Sequence, residues 1–516
     1  MGTVKNHLKK YSINIKGYLN YKFDFAESDE IKANLRNRSI RSGGVTILSQ
    51  AIKAGIQLIS IIILSRLFAP QDFGLIAMVS AIFSFLSLFQ DLGLSTVTIQ
   101  KREINHDQVS TLFWINLLFS LALAVISASA SPLISWFFHE PKLVWIAVVM
   151  SIALLLGGFG TQQRALLIRH MLFGRIAFIE ISAIVIGIIT AIILASFKYR
   201  ALVAMSLATS IASSAGFWLM CGWKPGFPSH TTGLRQMLSF GSHLTSVSIM
   251  NYFSRNLDNV LIGRFWGASQ LGFYARAYNL FMIPMSQIVW PLATVATPLL
   301  SRLQDDRPRF KKYYLSAISV ITFITVPLSI FLIILSEEIV LTLMGHQWQN
   351  SINILRFLSL SILVQPVFSL SNVLFTVTGR GKEFLKYSSI GSVIIISSFF
   401  VGLPFGSSMV ALCYAIAVIL WTFPNLYFAT RKTPIGVKDV IASIMYPFAG
   451  GVLGGLSILL LKLRFKPFLS DISLLAMCLL VMLLVYVASV FWLFNQKSFY
   501  FQVIKSFFHP DKTLPN

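Results

Sequence analysis

The chain has little charge, few acids and almost no cysteine. Only 12% of its 516 residues are Asp, Glu, Lys or Arg, about half the ~25% of a typical soluble domain. That shortage excludes an ordinary cytosolic globule of this length. Its three cysteines, Cys221, Cys413 and Cys478, stand far apart, with no CxxC and no Cys/His cluster. A disulfide framework and a structural metal are therefore not expected. Glycine-rich phosphate loops, nucleophile triads and metal-ligand spacings are missing, so neither an ATPase site nor a cofactor is expected. The amino-terminal segment has no apolar stretch of the signal-peptide kind. It carries Lys9, Lys10, Arg36, Arg38 and Arg41 and reads as a cytoplasmic arm.

Apolar residues are abundant. They make up 55% of the chain, and the mean hydropathy is +0.73. Disorder is excluded, because disordered chains are poor in such residues. A membrane-crossing helix needs about 20 apolar residues, and fourteen windows of this kind can be read along the sequence. The first covers residues 44–64, the fourth 143–161, the seventh 237–262 and the eighth 271–297. No gap between them holds a soluble catalytic domain, so an all-α polytopic membrane protein is expected.

The formal charge of +23 suggests nucleic acid at first sight. Sorting the cations removes that reading. With the amino terminus inside, 30 of the 42 Lys and Arg fall in inner segments and eight in outer loops. This is the asymmetry that orients helices in a membrane, and it puts both termini in the cytoplasm. One outer loop dissents, with Lys462, Arg464 and Lys466 between the last two spans. Four cations remain inside spans: Lys53, Arg255, Arg276 and Arg356.

The sequence also repeats itself. SRLFAPQDFGLIA from Ser65 aligns without gaps on GRFWGASQLGFYA from Gly263, an offset of 198 residues. Arg66 matches Arg264, Gly74 matches Gly272, and Ala77 matches Ala275. Each segment is the outer turn between the first two helices of a six-span set, so the repeat is parallel. In the first span Thr46, Gln50, Lys53, Gln57 and Ser60 form one polar stripe at helical spacing. The same offset gives Leu244, Ser248, Asn251, Arg255 and Asp258, four of them polar. Two matched polar faces predict a hydrated central cavity.

At this point a family is recognisable. The strings ILSRLFAPQDFGLIAM (63–78), FQDLGLSTVTIQ (89–100), YFSRNLDNVLIGRFWGASQLGFYARAYNLFMIP (252–284), LSRLQDD (300–306) and GHQW (345–348) carry the likeness. The chain resembles Wzx-type polysaccharide, O-antigen and colanic-acid flippases. These form the polysaccharide-transporter branch of the multidrug/oligosaccharidyl-lipid/polysaccharide exporter superfamily. The resemblance implies two pseudo-symmetric six-helix lobes around a central cavity, plus two C-terminal helices. The corresponding division is an arm (1–42), an N-lobe (43–222), a C-lobe (223–430), two extra helices (431–496) and a cytoplasmic tail (497–516). The resemblance further implies export of an undecaprenyl-diphosphate-linked oligosaccharide across a bacterial inner membrane. Membrane lipids, a polysaccharide polymerase and glycosyltransferases are the implied partners, and nucleic acid is not.

Such a cargo has an anionic head. Arg suits phosphate through paired hydrogen bonds and Lys through a point charge. Lys53 lies near mid-membrane, too deep to reach the surface easily. With Gln50, Gln57, Asn251 and Arg255 it is a candidate for the head group. Arg255 is also placed to pair with Asp258 three residues on. Arg276 and Arg356 sit near outer span ends, where snorkelling is the default expectation, and are further candidates. Asp91, Glu180 and Asp258 are candidate coupling or gating acids. Asp91 has a second reading as a helix cap near Gly93, and Lys53 a second reading as the partner of an acid. Pro284, Pro291, Pro298, Pro327 and Pro366 predict kinks. Two rival functions stand beside export: a multidrug exporter of the same fold, and a non-transporting scaffold of a polysaccharide-synthesis complex.

Overall fold

The structure is a computed structural model. It describes residues 35–91, 93–101, 104–228 and 234–508, without side-chain detail for 35–45, 47, 234–251 and 503–508. Among these residues the protein is helical, with no strand. Twelve helices among the described residues are long and apolar enough to cross a membrane. One of them, Tyr252–Arg302, has 51 residues and is interrupted at Gly267, whose φ of 78° lies in the left-handed region that glycine adopts without strain. The pair Ser351–Ile362 and Gln365–Val377 passes the same test together with a 44° bend. Counting that pair as one span and dividing the long helix at Gly267 gives the fourteen spans read from the sequence.

The helices begin and end on local signals. Helix α1 (Leu35–Leu67) is separated by Phe68 and Ala69 from Pro70, which opens α2 (Pro70–Asp91). Gly93 turns the chain with φ 70° into α3 (Leu94–Gln100). Asn105 caps α4 (His106–Ser129) by accepting from the Gln108 amide at 2.9 Å, and Gln108 reciprocates. Next come α5 (Ser131–Phe138), α6 (Leu143–Arg169), α7 (Phe173–Ile193) and α8 (Tyr199–Cys221). Helix α9 (Leu234–Pro284) runs into a π-turn, Met285–Val289, and then α10 (Trp290–Arg302). The rest are α11 (Arg307–Ile334), α12 (Ser336–Leu343), α13 (Ser351–Ile362), α14 (Gln365–Val377), α15 (Gly381–Gly402), α16 (Ser407–Thr430), α17 (Val437–Phe465), α18 (Asp471–Ala488) and α19 (Lys497–Phe508).

Two compact units emerge. One contains the described residues through Ile56 together with Val79–Ile249; the other contains Gln57–Met78 and Met250–Asn516. In the first, α6 packs against α4 and α8, and α7 against α8. Its core gathers Leu112, Phe113, Leu166, Ile179, Phe217 and Trp223. In the second, α17 lies on α11 and α18. Two interleaved glycine pairs permit that approach. A Cβ at Gly450 or Gly454 would press on Val490 or the Met482 sulfur at 2.8 and 2.7 Å, and one at Gly451 or Gly455 on Val326 or Ile330 at 2.7 Å. Small residues spaced by four let membrane helices close on one another.

The dissenting outer loop has a partner. Lys462 reaches Glu338 at 2.9 Å, and Lys466 reaches Glu337 at 2.8 Å and Glu338 at 3.4 Å. These acids open α12, which sits between spans. Hydrogen bonding to Lys466 holds the Glu337 carboxyl below its ordinary range. Burial works against the Lys466 ammonium, but its contacts with Glu337 and Glu338 outweigh it and raise the pKa. Two of the three cations of the basic loop, Lys462 and Lys466, are therefore paired with acids, while Arg464 is exposed.

Candidate functional site

In the first unit the polar stripe of α1 meets an acid. Lys53 Nζ donates to one oxygen of Glu180 on α7. Arg164 on α6 donates to the other oxygen through Nε and Nη2, both at 3.3 Å. One carboxylate thus serves two cations. Lys53 and Glu180 are largely covered, with side chains 19% and 25% exposed, while Arg164 is half exposed. A lone Lys at mid-bilayer costs about 2.5–3.5 kcal/mol on insertion scales, and Glu180 offsets part of that. Gln50 is half-buried and Gln57 exposed on the same helix.

Arg164 did not emerge as a candidate from the sequence. Hydropathy ends the fourth span at residue 161 and puts Arg164 in a loop, whereas α6 continues to Arg169. Its side chain lines a cleft of about 240 Å³ with Asp91, Ser95, Thr161 and Ser213. Asp91 itself takes the capping role. It accepts from the Ser95 amide at 2.9 Å and from the Ser95 hydroxyl, fixing the turn at Gly93.

The second unit brings the sequence repeat face to face. A Cβ at Gly74 would overlap the Ala268 carbonyl, and one at Gly272 would overlap the Pro70 carbonyl. The 198-residue offset pairs Pro70 with Ala268 and Gly74 with Gly272. The contact is therefore reciprocal: each segment presents its glycine to the same backbone position of the other. The break at Gly267 corresponds to Ala69, where α1 gives way to α2. The GHQW segment latches this clasp. Trp348, fully buried, donates from its indole to the Ser65 carbonyl at 2.8 Å, and Gln347 donates to the same oxygen. Ser351 donates to the Phe273 carbonyl at 2.9 Å. Three of the strings that made the chain recognisable, 63–78, 252–284 and 345–348, are thus in contact.

Arg276 departs from expectation. It does not snorkel: it is 6% exposed, with its guanidinium 3.5 Å above the Phe73 ring. Its Nε and Nη2 are buried without a protein acceptor. Arg356 donates from Nε to Ser336 at 3.1 Å and from Nη1 to Asn353 at 3.4 Å. Arg255 and Asp258 do not pair. Asp258 accepts from the Tyr274 hydroxyl at 2.7 Å and from the Asn259 amide at 2.8 Å, while Arg255 lies 5.0 Å from the Trp290 ring centre. The side chains of Ser248 and Asn251 lie outside the described residues.

Arg255 borders a pocket of about 170 Å³ inside the second unit. Two helix breaks shape it. The π-turn between Pro284 and Pro291 supplies Met285 and delivers Trp290, and the 44° bend before Pro366 delivers Gln365 and Phe368. Single π-turns in helices recur at functional sites, and transporter sites gather at discontinuous helices. The far wall comes from α15 and α16, with Gly391, Trp421 and Asn425.

Comparison with known proteins decides the family. A sequence family described as "Polysaccharide biosynthesis protein" matches residues 63–353, more than half of the chain. The chain belongs to that family. The matched segment holds both halves of the clasp, its Trp348 latch, Glu180, Arg255 and Arg276, whereas Lys53 and Arg356 lie outside it. Relatives within the polysaccharide field are broadly spread. "Lipopolysaccharide biosynthesis protein WzxC" of Escherichia coli K12 is 26% identical, over 80% of this chain and 86% of its own. "Succinoglycan biosynthesis transport protein ExoT" of Rhizobium meliloti is 24% identical, over 78% and 84%. "Teichuronic acid biosynthesis protein TuaB" of Bacillus subtilis is 25% identical, over 70% and 76%.

Solved structures place the fold of this family member. "Lipid II flippase MurJ, inward closed conformation" superposes with a TM-score of 0.72 at 17% identity, covering 89% of this chain and 99% of that one. An inward-facing multidrug resistance MATE family transporter of the MOP superfamily gives 0.59 at 16% identity, over 73% and 93%. At these identities the likeness speaks for the fold alone.

Proposed function

We propose that the protein is a flippase. It carries an undecaprenyl-diphosphate-linked oligosaccharide repeat unit across the bacterial inner membrane by alternating access, for surface polysaccharide synthesis. The observation that carries this reading is the convergence of Lys53 and Arg164 on the single carboxylate of Glu180, in a chain of the polysaccharide biosynthesis family. A diphosphate has more charge and more acceptor oxygens than one carboxylate. It competes with Glu180 for both cations, the Arg fork engaging it by paired hydrogen bonds and Lys53 by charge. Glu180, displaced, becomes a carboxylate able to take up a coupling proton. Supporting names among the relatives include a transport protein for succinoglycan and a lipopolysaccharide biosynthesis protein. Both termini lie in the cytoplasm in this reading, where the polymer's glycosyltransferases also work.

The test is genetic. In a strain lacking its own exporter, the wild-type chain restores surface polymer. The Lys53→Ala variant, present in equal amount in the membrane, does not. Normal polymer from that variant contradicts the assignment of Lys53.

A further inference from the structure

The pocket beside Arg255 has a composition unlike that of a diphosphate site. Among the described residues it is lined by one cation and no carboxylate. Asp258, three residues on from Arg255, is not among the lining residues and accepts from the Tyr274 hydroxyl. The amides of Gln365, Asn372 and Asn425, with Ser388 and Ser392, supply donors and acceptors. Trp290, Trp421, Tyr278 and Tyr414 supply ring surface. Asn425 donates to Asn372 at 3.2 Å, which fixes one amide by the other and leaves the remaining amide atoms for a ligand.

Trp421 is held in place by an absence. Gly391 is one of the wall residues, and a Cβ there would run into the Trp421 indole nitrogen. The missing side chain lets the indole lie against α15 and keeps the pocket open. Its volume of about 170 Å³ is close to the ~150 Å³ of a dry cavity that takes benzene, so the pocket is on the scale of one ring, not of a longer sugar chain. Most of the amide and aromatic wall, from Gln365 to Asn425, lies beyond residue 353, where the family match ends.

We infer that this pocket is a subsite for a neutral pyranose ring, read by stacking on Trp290 or Trp421 and by hydrogen bonds to the Asn372–Asn425 pair. This deepens the export reading and rests on it for the identification of the ring as part of the cargo's head group. A cationic drug is a poor occupant, since Arg255 lines the pocket and no carboxylate is among its described lining residues. A free diphosphate is another, since Arg255 is the single cation among the described lining residues.

Proteoliposomes containing the full chain test the inference without lipid-linked cargo. Saturation-transfer difference NMR reads weak binding of the methyl pyranosides of glucose, galactose and mannose against empty vesicles. At least one is expected to receive saturation. The signal falls at least fivefold in Asn372→Ala and in Ser392→Phe, which fills the pocket from its wall, and excess inorganic pyrophosphate leaves it unchanged. No transfer to any pyranoside overturns the inference, as does a signal that survives both variants or one that pyrophosphate displaces. Circular dichroism and elution volume establish that each variant is folded. The readout uses no gradient and no polymer, so its failure leaves the export reading standing. Normal polymer in the Lys53→Ala strain would end that reading and leave pyranoside binding intact.

Discussion

The two units treat their intramembrane cations differently. In the first, Lys53 and Arg164 share the carboxylate of Glu180. In the second, Arg255 and Arg276 rest on the rings of Trp290 and Phe73, with no ion pair to either among the described residues. An ion pair in a poorly solvated place is strong in its own geometry and breaks only when a better anion arrives. A guanidinium over a ring is held by its flat face and keeps its edge for a ligand. The first arrangement suits capture and release of a charged group. The second suits cations that stay in place while something else is recognised beside them.

The largest effect that sharpens this contrast is on export. Lys53→Ala removes one of the two cations from Glu180 and is expected to abolish surface polymer at unchanged protein level, measured by polymer immunoblot. Next comes the clasp. Gly272→Val drives a branched side chain into the Pro70 backbone. Overpacking of this kind costs about 3 kcal/mol, so a clear fall in the detergent melting temperature is expected. Gly74→Val should match it, because the contact is reciprocal. Unequal losses would break the pseudo-symmetry.

A smaller effect is expected at Arg255. Lys in its place keeps the charge but loses the flat stacking on Trp290, so polymer output should fall several-fold without vanishing. Full output from Arg255→Lys would reduce that residue to a bare charge. The smallest effect is outside the membrane. Glu337 is held below its ordinary pKa by Lys466, so its contribution is present above the unfolded Glu value and is lost as pH falls through the lowered one. Lys466→Gln should cost a little melting temperature near neutral pH, and the difference should close in acid. A gap that persists in acid would assign Lys466 a packing role instead.

Much of this was legible in the sequence, residue by residue. The period and length of the apolar runs located the spans, and the offset between Ser65 and Gly263 located the repeat. The depth of Lys53 marked it, but its partner was not readable, since Glu180 lies 127 residues away and only packing joins α1 to α7. Arg164 was missed because hydropathy ends a span where charge begins, while the helix goes on. Arg276 was misjudged for the same reason. Proximity to a span end says where an arginine can snorkel, but Phe73 from the other repeat half covers it. The prolines announced breaks, and the structure added what they do: Pro284 and Pro291 flank a π-turn that turns Trp290 into a pocket. That pocket had no local signal, because its wall is assembled from five separate helices.

The most direct measurement is transbilayer movement itself. Purified protein is reconstituted into vesicles with a fluorescent undecaprenyl-diphosphate-linked oligosaccharide, and its arrival in the far leaflet is followed by a membrane-impermeant quencher. Movement that requires the wild-type chain and stops in Lys53→Ala is the expected result. No movement with the wild type, or equal rates with and without the Lys53 ammonium, would contradict it.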